Sequence, residues 1–133
     1  MQISATLQDQ FADAITTACG ATCFARFYSA AYADNLASAG CNNPVAPAAS
    51  TGVVTLDVGT AVEDTSAAGG AAACALLAFY EDSTAAATAF IFALGVAATG
   101  TPDVDMANTT IGAGDTVQIA SLTWTVPTGS PTV

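Results

Sequence analysis

Apolar residues recur at helical spacing through the first twenty positions, at Leu7, Phe11, Ile15 and Ala18. Ser4 stands where a helix N-cap is expected, and Gly20 stands where a left-handed residue commonly ends a helix. The pattern therefore predicts one amphipathic helix over residues 5–19. Asp9 and Asp13 are four residues apart on the polar side of this helix, so we expect both carboxylates to lie in solvent.

After the helix the period changes to two, which predicts a strand over residues 21–28. One face of this strand carries Cys23, Ala25 and Phe27, and the other carries Phe24, Arg26 and Tyr28. We therefore expect Arg26 to stack between aromatic rings or to pair with a nearby aspartate. In either arrangement Arg26 acts as an internal staple, a residue that holds parts of the fold together, and a role in ligand binding is disfavoured.

Four further stretches combine β-branched, aromatic and apolar residues between turn signals, and they predict strands over residues 53–58, 72–80, 87–96 and 116–126. The second and third of these predict a hairpin that turns at residues 81–84. The last strand ends at Pro127. Its inward face is expected to carry Val117, Ile119 and, after a bulge near Ser121, Leu122, Trp124 and Val126.

Residues 29–52 contain prolines, glycines, alanines and asparagines without a sustained period. Loops of this length are usually functional, so this loop is the candidate contact arm. Residues 128–133 are predicted to form a frayed tail. Short strands separated by turns predict a single domain over residues 1–133 that is mainly β. We expect an antiparallel β-sandwich, jelly-roll-like or Ig-like, with one N-terminal α-helix.

The charge inventory limits the chemistry of this chain. Arg26 is its only basic residue, lysine and histidine are absent, and eleven carboxylates bring the net charge to −10. Histidine, lysine and arginine supply most proton shuttles, Schiff bases and phosphate contacts, so we predict neither an enzyme nor a cofactor. The same charge argues against nucleic acid and membrane as partners, because both are bound largely through basic residues.

Candidate ligand clusters are few. Cys19, Cys23, Cys41 and Cys74 fit no zinc spacing. Free buried thiols are the favoured interpretation in a cytoplasm, while disulfides from Cys19 or Cys23 to the long loop or to Cys74 stay open. Residues 103–108 resemble a calcium loop but lack its glycine, which favours an alternating edge strand. Two acidic pairs are interpreted as solvated turns, because adjacent carboxylates diverge: Glu63-Asp64 and Glu81-Asp82.

Targeting signals are not expected in this sequence. The first residues include neither a basic region nor an apolar core, so we expect no secretory signal. The longest weakly polar run, residues 85–98, is too short to span a bilayer. We therefore expect a soluble protein that is made in a cytoplasm.

Five stretches resemble small virion proteins of tailed bacteriophages, of the capsid decoration or cement type: Leu7–Ile15, Gly52–Leu56, Ala78–Asp82, Asn108–Val117 and Leu122–Pro127. The four cysteines and the loop over residues 29–52 depart from that pattern. The resemblance implies a compact, non-catalytic domain that is displayed in many copies on the capsid exterior. It transfers no functional residue.

The resemblance also implies the partners: the major capsid protein or another virion protein and, by analogy, two further copies in a homotrimer. An exterior location agrees with the acidity, since a strongly negative protein inside the shell would repel packaged DNA. Attachment would use apolar loops, strand addition or the helix face. The alternatives are a tail, neck or head-fibre component, and a carbohydrate-binding or adhesin-like module that would expose Tyr32, Tyr80 and Trp124.

Overall fold

The computed structural model describes residues 4–30, 32–56, 62–63, 72–100, 103–106, 108–112, 114–117 and 122–126. One helix, α1 (Ala5–Cys19), precedes the strands. The strands are β1 (Phe24–Tyr28), β2 (Asn35–Gly40), β3 (Val53–Leu56), β4 (Val62–Glu63), β5 (Ala72–Ala73), β6 (Leu76–Tyr80), β7 (Phe92–Ala97), β8 (Val104–Asp105), β9 (Thr110–Ile111), β10 (Thr116–Val117) and β11 (Leu122–Thr125). The predicted class is confirmed: a mainly β, sandwich-like fold with an N-terminal helix.

The largest sheet has the strand order β2-β1-β6-β7-β8. Its first four strands are antiparallel neighbours, whereas β8 runs parallel to β7. Three two-stranded antiparallel ladders accompany it, in which β3 pairs with β11, β4 with β10, and β5 with β9. The predicted hairpin is confirmed as β6 and β7, which pair from Leu76 opposite Gly95 to Phe79 opposite Phe92.

The main core lies between one face of the large sheet and the short ladders. The alternation of strand side chains sends Phe27 of β1 and Leu77 and Phe79 of β6 into this core, where all three are fully buried. Phe79 and Phe92 stack there with ring centroids 4.5 Å apart. The ladders and their flanks contribute Val54, Leu56, Ile111, Val117 and Val126. Two packed layers of strands are therefore joined by one apolar interior.

The long loop predicted over residues 29–52 is wrong in its middle, where β2 forms. Alanine and serine have low strand propensity, but pairing with β1 overrides it. In that pairing Ala37 lies opposite Phe27 and Ala39 opposite Ala25, and both β2 alanines are buried. Small side chains let β2 close this edge of the core.

Other strand boundaries also differ from the prediction. The strand predicted over residues 21–28 begins only at Phe24. The strand predicted over residues 72–80 is divided into β5 and β6, because the N–H of Cys74 donates to the carbonyl of Thr109, outside the sheet that contains β6. The strand predicted over 87–96 begins only at Phe92, since residues 81–91 form the connection from β6. Residues 57–58, 118–121 and 128–133 lie outside the described residues, with Ile119, the bulge near Ser121 and the tail among them.

The helix bounds are confirmed, and the predicted caps are in place. The Ser4 hydroxyl accepts a hydrogen bond from the N–H of Leu7 at 3.2 Å. Gly20 ends the helix at φ 60°, and its N–H donates to the carbonyl of Thr16. The buried side of the helix is not the predicted one, however, because its buried residues are Gln8, Ala12 and Cys19.

Candidate functional site

Asp9 and Asp13 do not lie free in solvent as predicted; they fasten α1 to the segment before β3. The Asp9 carboxylate accepts a hydrogen bond from the N–H of Gly52 at 2.7 Å. The Asp13 carboxylate accepts one from the N–H of Ala49, also at 2.7 Å. Backbone donors in this segment lack a strand partner, and carboxylates one helical turn apart satisfy two of them. The polar side of α1 therefore faces the protein.

This docking turns the apolar side of α1 outward. Phe11 is 49% exposed and Leu7 is 37% exposed. Ala14 and Ala18 continue the row at spacings of three and four residues, and both are exposed. We call these four residues the apolar stripe: Leu7, Phe11, Ala14 and Ala18. Contiguous exposed apolar residues often mark interaction surfaces, so this stripe is the candidate contact surface.

A cleft of about 410 Å³ adjoins the apolar stripe. Its walls are almost entirely apolar, formed by Ala14, Ile15 and Ala18 of the helix, Ile91 to Leu94 at β7, and Trp124 of β11. A smaller cleft of about 120 Å³ continues past Trp124 and shares Phe92 and Leu94 with the first. We call the two together the α1–β7 groove.

Strand alternation places the groove residues. Leu122 and Trp124 of β11 are half-buried against the core, whereas Thr123 and Thr125 point to solvent. This confirms the inward face predicted for Leu122 and Trp124. Trp124 lies opposite Val54 of β3, so the ladder holds its indole at the groove. The stripe and groove are adjacent and together form a continuous apolar surface along α1, β7 and β11.

Arg26 lies on the opposite face of the main sheet. Its guanidinium carbon is 4.7 Å from the ring centroid of Tyr80 and 6.0 Å from that of Phe24. The guanidinium donates to the carbonyl of Ala85 at 2.9 Å and to that of Ser83. The predicted stacking of Arg26 is confirmed for Phe24, but the second ring is that of Tyr80 on β6 and not that of Tyr28. The carbonyls that Arg26 binds belong to the β6–β7 connection.

Tyrosines continue this cluster. The hydroxyl of Tyr80 lies 2.9 Å from that of Tyr28 and 2.9 Å from the carbonyl of Ala87. Burial, reinforced by the hydrogen bond with Tyr28, raises the pKa of Tyr80 well above its ordinary value. Tyr32, at φ 63°, stacks on Phe90 with ring centroids 5.3 Å apart. The exposed aromatic surface here is formed by Phe90, which is 38% exposed, and by part of Tyr32.

The acidic residues mostly organise turns. The Asp82 carboxylate accepts hydrogen bonds from the hydroxyl and N–H of Thr84 and from the N–H of Ala85. These bonds lower the pKa of Asp82. The pair Glu81-Asp82 is therefore a turn, as predicted. The other pair is only partly described: Glu63 ends β4, and Asp64 lies outside the described residues.

The candidate calcium segment forms the edge strand β8, as predicted. The carboxylate of Asp103 accepts a hydrogen bond from the N–H of Gly95 at 2.8 Å, which ties this edge to β7. Across the residues that the structure describes, no three carboxylate, cysteine or histidine side chains are arranged to hold a metal ion.

Three of the four cysteines gather where α1, β1 and β2 meet. Cys41 lies opposite Cys23 across the end of the β1–β2 ladder, and the side chains of Cys19 and Cys41 both shift the pKa of Cys23. The contact with Cys19 lowers the pKa of Cys23, but the contact with Cys41 and burial outweigh it and raise that pKa to about 12. Cys74 lies apart from the three, and burial raises its pKa to about 11. All four are free thiols, as the sequence favours.

Comparison with known proteins gives no relative: no protein family matches the chain, and no curated protein or solved structure is significantly similar to it. Among the described residues, no helix has both the length and the apolar character needed to cross a membrane. Function must therefore be argued from the surface. Sequence reasoning missed the role of the apolar stripe, since the spacing of Leu7 and Phe11 identifies an apolar side without showing what covers it.

Proposed function

We propose that this chain is a structural virion protein, a capsid decoration or cement protein on the outer surface of a tailed-bacteriophage head. It attaches through the apolar stripe and the α1–β7 groove. The observation that carries the proposal is the outward apolar side of α1, on which Phe11 is 49% exposed beside an apolar cleft. The choice of a phage head as the assembly rests on the resemblance of five stretches of the chain to capsid decoration proteins.

The electrostatics of the chain support an exterior position. A net charge of −10 keeps free copies apart and hydrates the surface that faces solvent. Attachment then depends on apolar contact, because a chain whose single cation is engaged on carbonyls in its own fold has no basic patch to offer. The partner that fits is an apolar side chain or short helix of the major capsid protein.

Many copies make a small contact sufficient. A typical stable interface between two single partners buries about 800 Å² on each of them. Linked copies raise the overall affinity without new contacts, so a homotrimer on a symmetry axis would hold where a single chain would dissociate. The homotrimer is therefore part of the proposal.

The decisive experiment is binding to heads of the phage that encodes the chain. Purified wild-type chain, Phe11→Ser and Phe90→Ser are each mixed with heads lacking the protein, and bound copies are counted after sedimentation. Phe90 is a matched control, because it is also a partly exposed phenylalanine but lies on the opposite face of the sheet. We expect Phe11→Ser to lose at least ten-fold in bound copies and Phe90→Ser to bind like wild type.

Cryo-electron microscopy of complete particles tests the location. Density for this chain on the head surface at symmetry axes is the expected result. Density on the tail, neck or head fibres alone would overturn the head assignment and favour the alternative virion component. Equal binding by Phe11→Ser and wild type would overturn the proposed attachment surface.

The carbohydrate-binding alternative loses support from the burial of its aromatic residues. Tyr80 is fully buried, and Trp124 is half-buried against the core. The remaining candidate, Tyr32, already stacks on Phe90. Sugar-binding modules present aromatic faces that are free to stack on a pyranose ring, whereas the ring of Tyr80 contacts Arg26 and that of Tyr32 contacts Phe90.

A further inference from the structure

Cys23 and Cys41 occupy opposite positions at one end of the β1–β2 ladder. The last registered pair is Phe24 opposite Gly40, and one step further the N–H of Cys41 donates to the carbonyl of Cys23 at 2.9 Å. Opposite residues of the hydrogen-bonded kind in an antiparallel ladder have Cα atoms about 5.5 Å apart. Disulfides bridge Cα separations of about 4.4–6.8 Å, so the ladder places this pair within bridging range.

Both side chains point to the same side of the sheet. Cys23 and Ala25 are buried in the main core, and Cys41 packs against the same core with part of its surface accessible. Opposite them, Ala39 faces Ala25 in the register, so the alternation puts Cys41 on the face that carries Cys23. The register and the Cys41 N–H bond to Cys23 therefore place the two side chains next to each other on one face of the ladder.

We propose that Cys23 and Cys41 are a disulfide site, closed when the protein meets an oxidising environment and open in the reducing cytoplasm. This inference does not depend on the proposed function. Cys19, the third thiol of the cluster, competes for Cys23. It is buried at the C-terminus of α1 and has no counterpart across the ladder, so we assign it the secondary role.

The oxidant that we assign is a small disulfide such as glutathione disulfide. The thiolate of the accessible Cys41 attacks one glutathione sulfur, forming a mixed disulfide and releasing one glutathione thiolate. The Cys23 thiolate then attacks the Cys41 sulfur, forming the protein disulfide and releasing the second glutathione. Two protein thiols lose two electrons and two protons, and glutathione disulfide takes them up as two glutathione thiols.

The second step has a distinctive pH dependence. The contact with Cys19 lowers the pKa of Cys23, but the contact with Cys41 and burial together outweigh it and raise that pKa to about 12, so little of Cys23 is thiolate at neutral pH. Closure should therefore accelerate steadily as the pH rises from 7 to 9. The closed bond would hold the start of β1 to the beginning of the segment that docks α1 through Asp13 and Asp9.

Because the chain has a single arginine and no lysine, digestion with trypsin can identify which cysteines are bonded. Trypsin cleaves after Arg26 only, and this separates Cys19 and Cys23 in residues 1–26 from Cys41 and Cys74 in residues 27–133. The full chain is incubated with glutathione disulfide, alkylated in denaturant, digested, and analysed by mass spectrometry before and after reduction. A Cys23–Cys41 bond joins the two fragments, whereas a Cys19–Cys23 bond leaves them separate.

We expect joined fragments from wild type, Cys19→Ala and Cys74→Ala, and separate fragments from Cys23→Ala and Cys41→Ala. Tandem mass spectrometry of the joined wild-type product identifies the bonded residues directly, even if a variant fails to fold. The oxidised chain should melt roughly 5–10 °C above the reduced chain. Separate fragments from oxidised wild type, or a bond from Cys19 or Cys74 in the joined product, would overturn the assignment.

Discussion

The guanidinium of Arg26 lies over the ring of Tyr80, 4.7 Å from its centroid, and holds the carbonyls of Ser83 and Ala85. One cation therefore joins β1, β6 and the β6–β7 connection. No other side chain in this sequence can replace it, because lysine and histidine are absent. Its hydrogen bonds tie the first part of the β6–β7 connection, residues 81–91, to the outer face of the sheet.

Replacing Arg26 with methionine should lower the free energy of unfolding by about 1–3 kcal/mol, since it removes a stacked cation and two hydrogen bonds to carbonyls. Urea denaturation followed by circular dichroism measures the change. Arg26→Lys is the matched control, because lysine keeps the charge over the ring without the planar fork that spans two carbonyls. We expect it to recover part of the loss. A methionine variant as stable as wild type would show that the staple contributes nothing.

The raised pKa of Tyr80 predicts a loss of stability in alkali. Burial and the contact with Tyr28 keep this phenol protonated in the folded chain beyond the ordinary tyrosine pKa of about 10. Between the two pKa values the folded state binds more protons than the unfolded state, so stability falls as the pH rises above about 10. The contribution is fully present below that pH.

Urea midpoints at a series of pH values from 8 to 11 measure this effect. The cysteine thiols of the unfolded chain, with an ordinary pKa of about 8.5, also ionise in this range, so the informative quantity is the difference between wild type and Tyr80→Phe. We expect the phenylalanine variant to have a shallower decline above pH 10. Parallel curves for wild type and Tyr80→Phe would contradict the assigned burial.

The sequence predicts the helix and most strands of this fold better than it predicts how they pair and which side of each is buried. Caps at Ser4 and Gly20 define α1 to the residue, and alternation defines the two faces of β1. These are local properties, encoded within a few positions. The strand β2 was missed because its alanines and serines carry no strand signal of their own. It forms only because β1 offers a partner at the right distance.

The candidate surface was mispredicted for a related reason. Spacing shows that Leu7 and Phe11 share a side of the helix, and the usual expectation is that such a side is buried. The opposite side is instead held to the protein by Asp9 and Asp13, whose partners lie 43 and 36 residues away in the chain. No residue close to the helix in sequence predicts that the N–H groups of Ala49 and Gly52 will bind these carboxylates. Orientation is therefore a tertiary property here.

The two helix carboxylates should each stabilise the fold. Asp9→Ala or Asp13→Ala leaves a backbone N–H without its charged acceptor, so we expect a loss of about 1–3 kcal/mol in the free energy of unfolding for either variant. Chemical denaturation measures it. Glu81→Ala serves as the matched control, because Glu81 is exposed at a turn and should change stability by less than about 0.5 kcal/mol. If the aspartate variants matched this control, the carboxylates would not be docking α1.

Gly52 is the position where this docking tolerates no side chain. Its φ of 73° lies in the left-handed region, and a Cβ added there would come within 2.9 Å of the Cβ of Gln8. That neighbour belongs to a buried helical residue close to the backbone, so α1 itself would have to move. The movement would also pull Asp9 away from the Gly52 N–H, which it holds at 2.7 Å.

We therefore expect Gly52→Ala to lower the free energy of unfolding by about 1–3 kcal/mol, despite the lower entropy that alanine gives the unfolded chain. Gly40→Ala is the matched control, because no atom lies within 4 Å of its added Cβ and its φ lies outside the left-handed region. That variant should be as stable as wild type or slightly more stable. Denaturation of both variants, with amide hydrogen exchange at Ala49 and Gly52, separates global destabilisation from local release of α1. Equal stability of the two alanine variants would show that α1 does not approach the Gly52 backbone this closely.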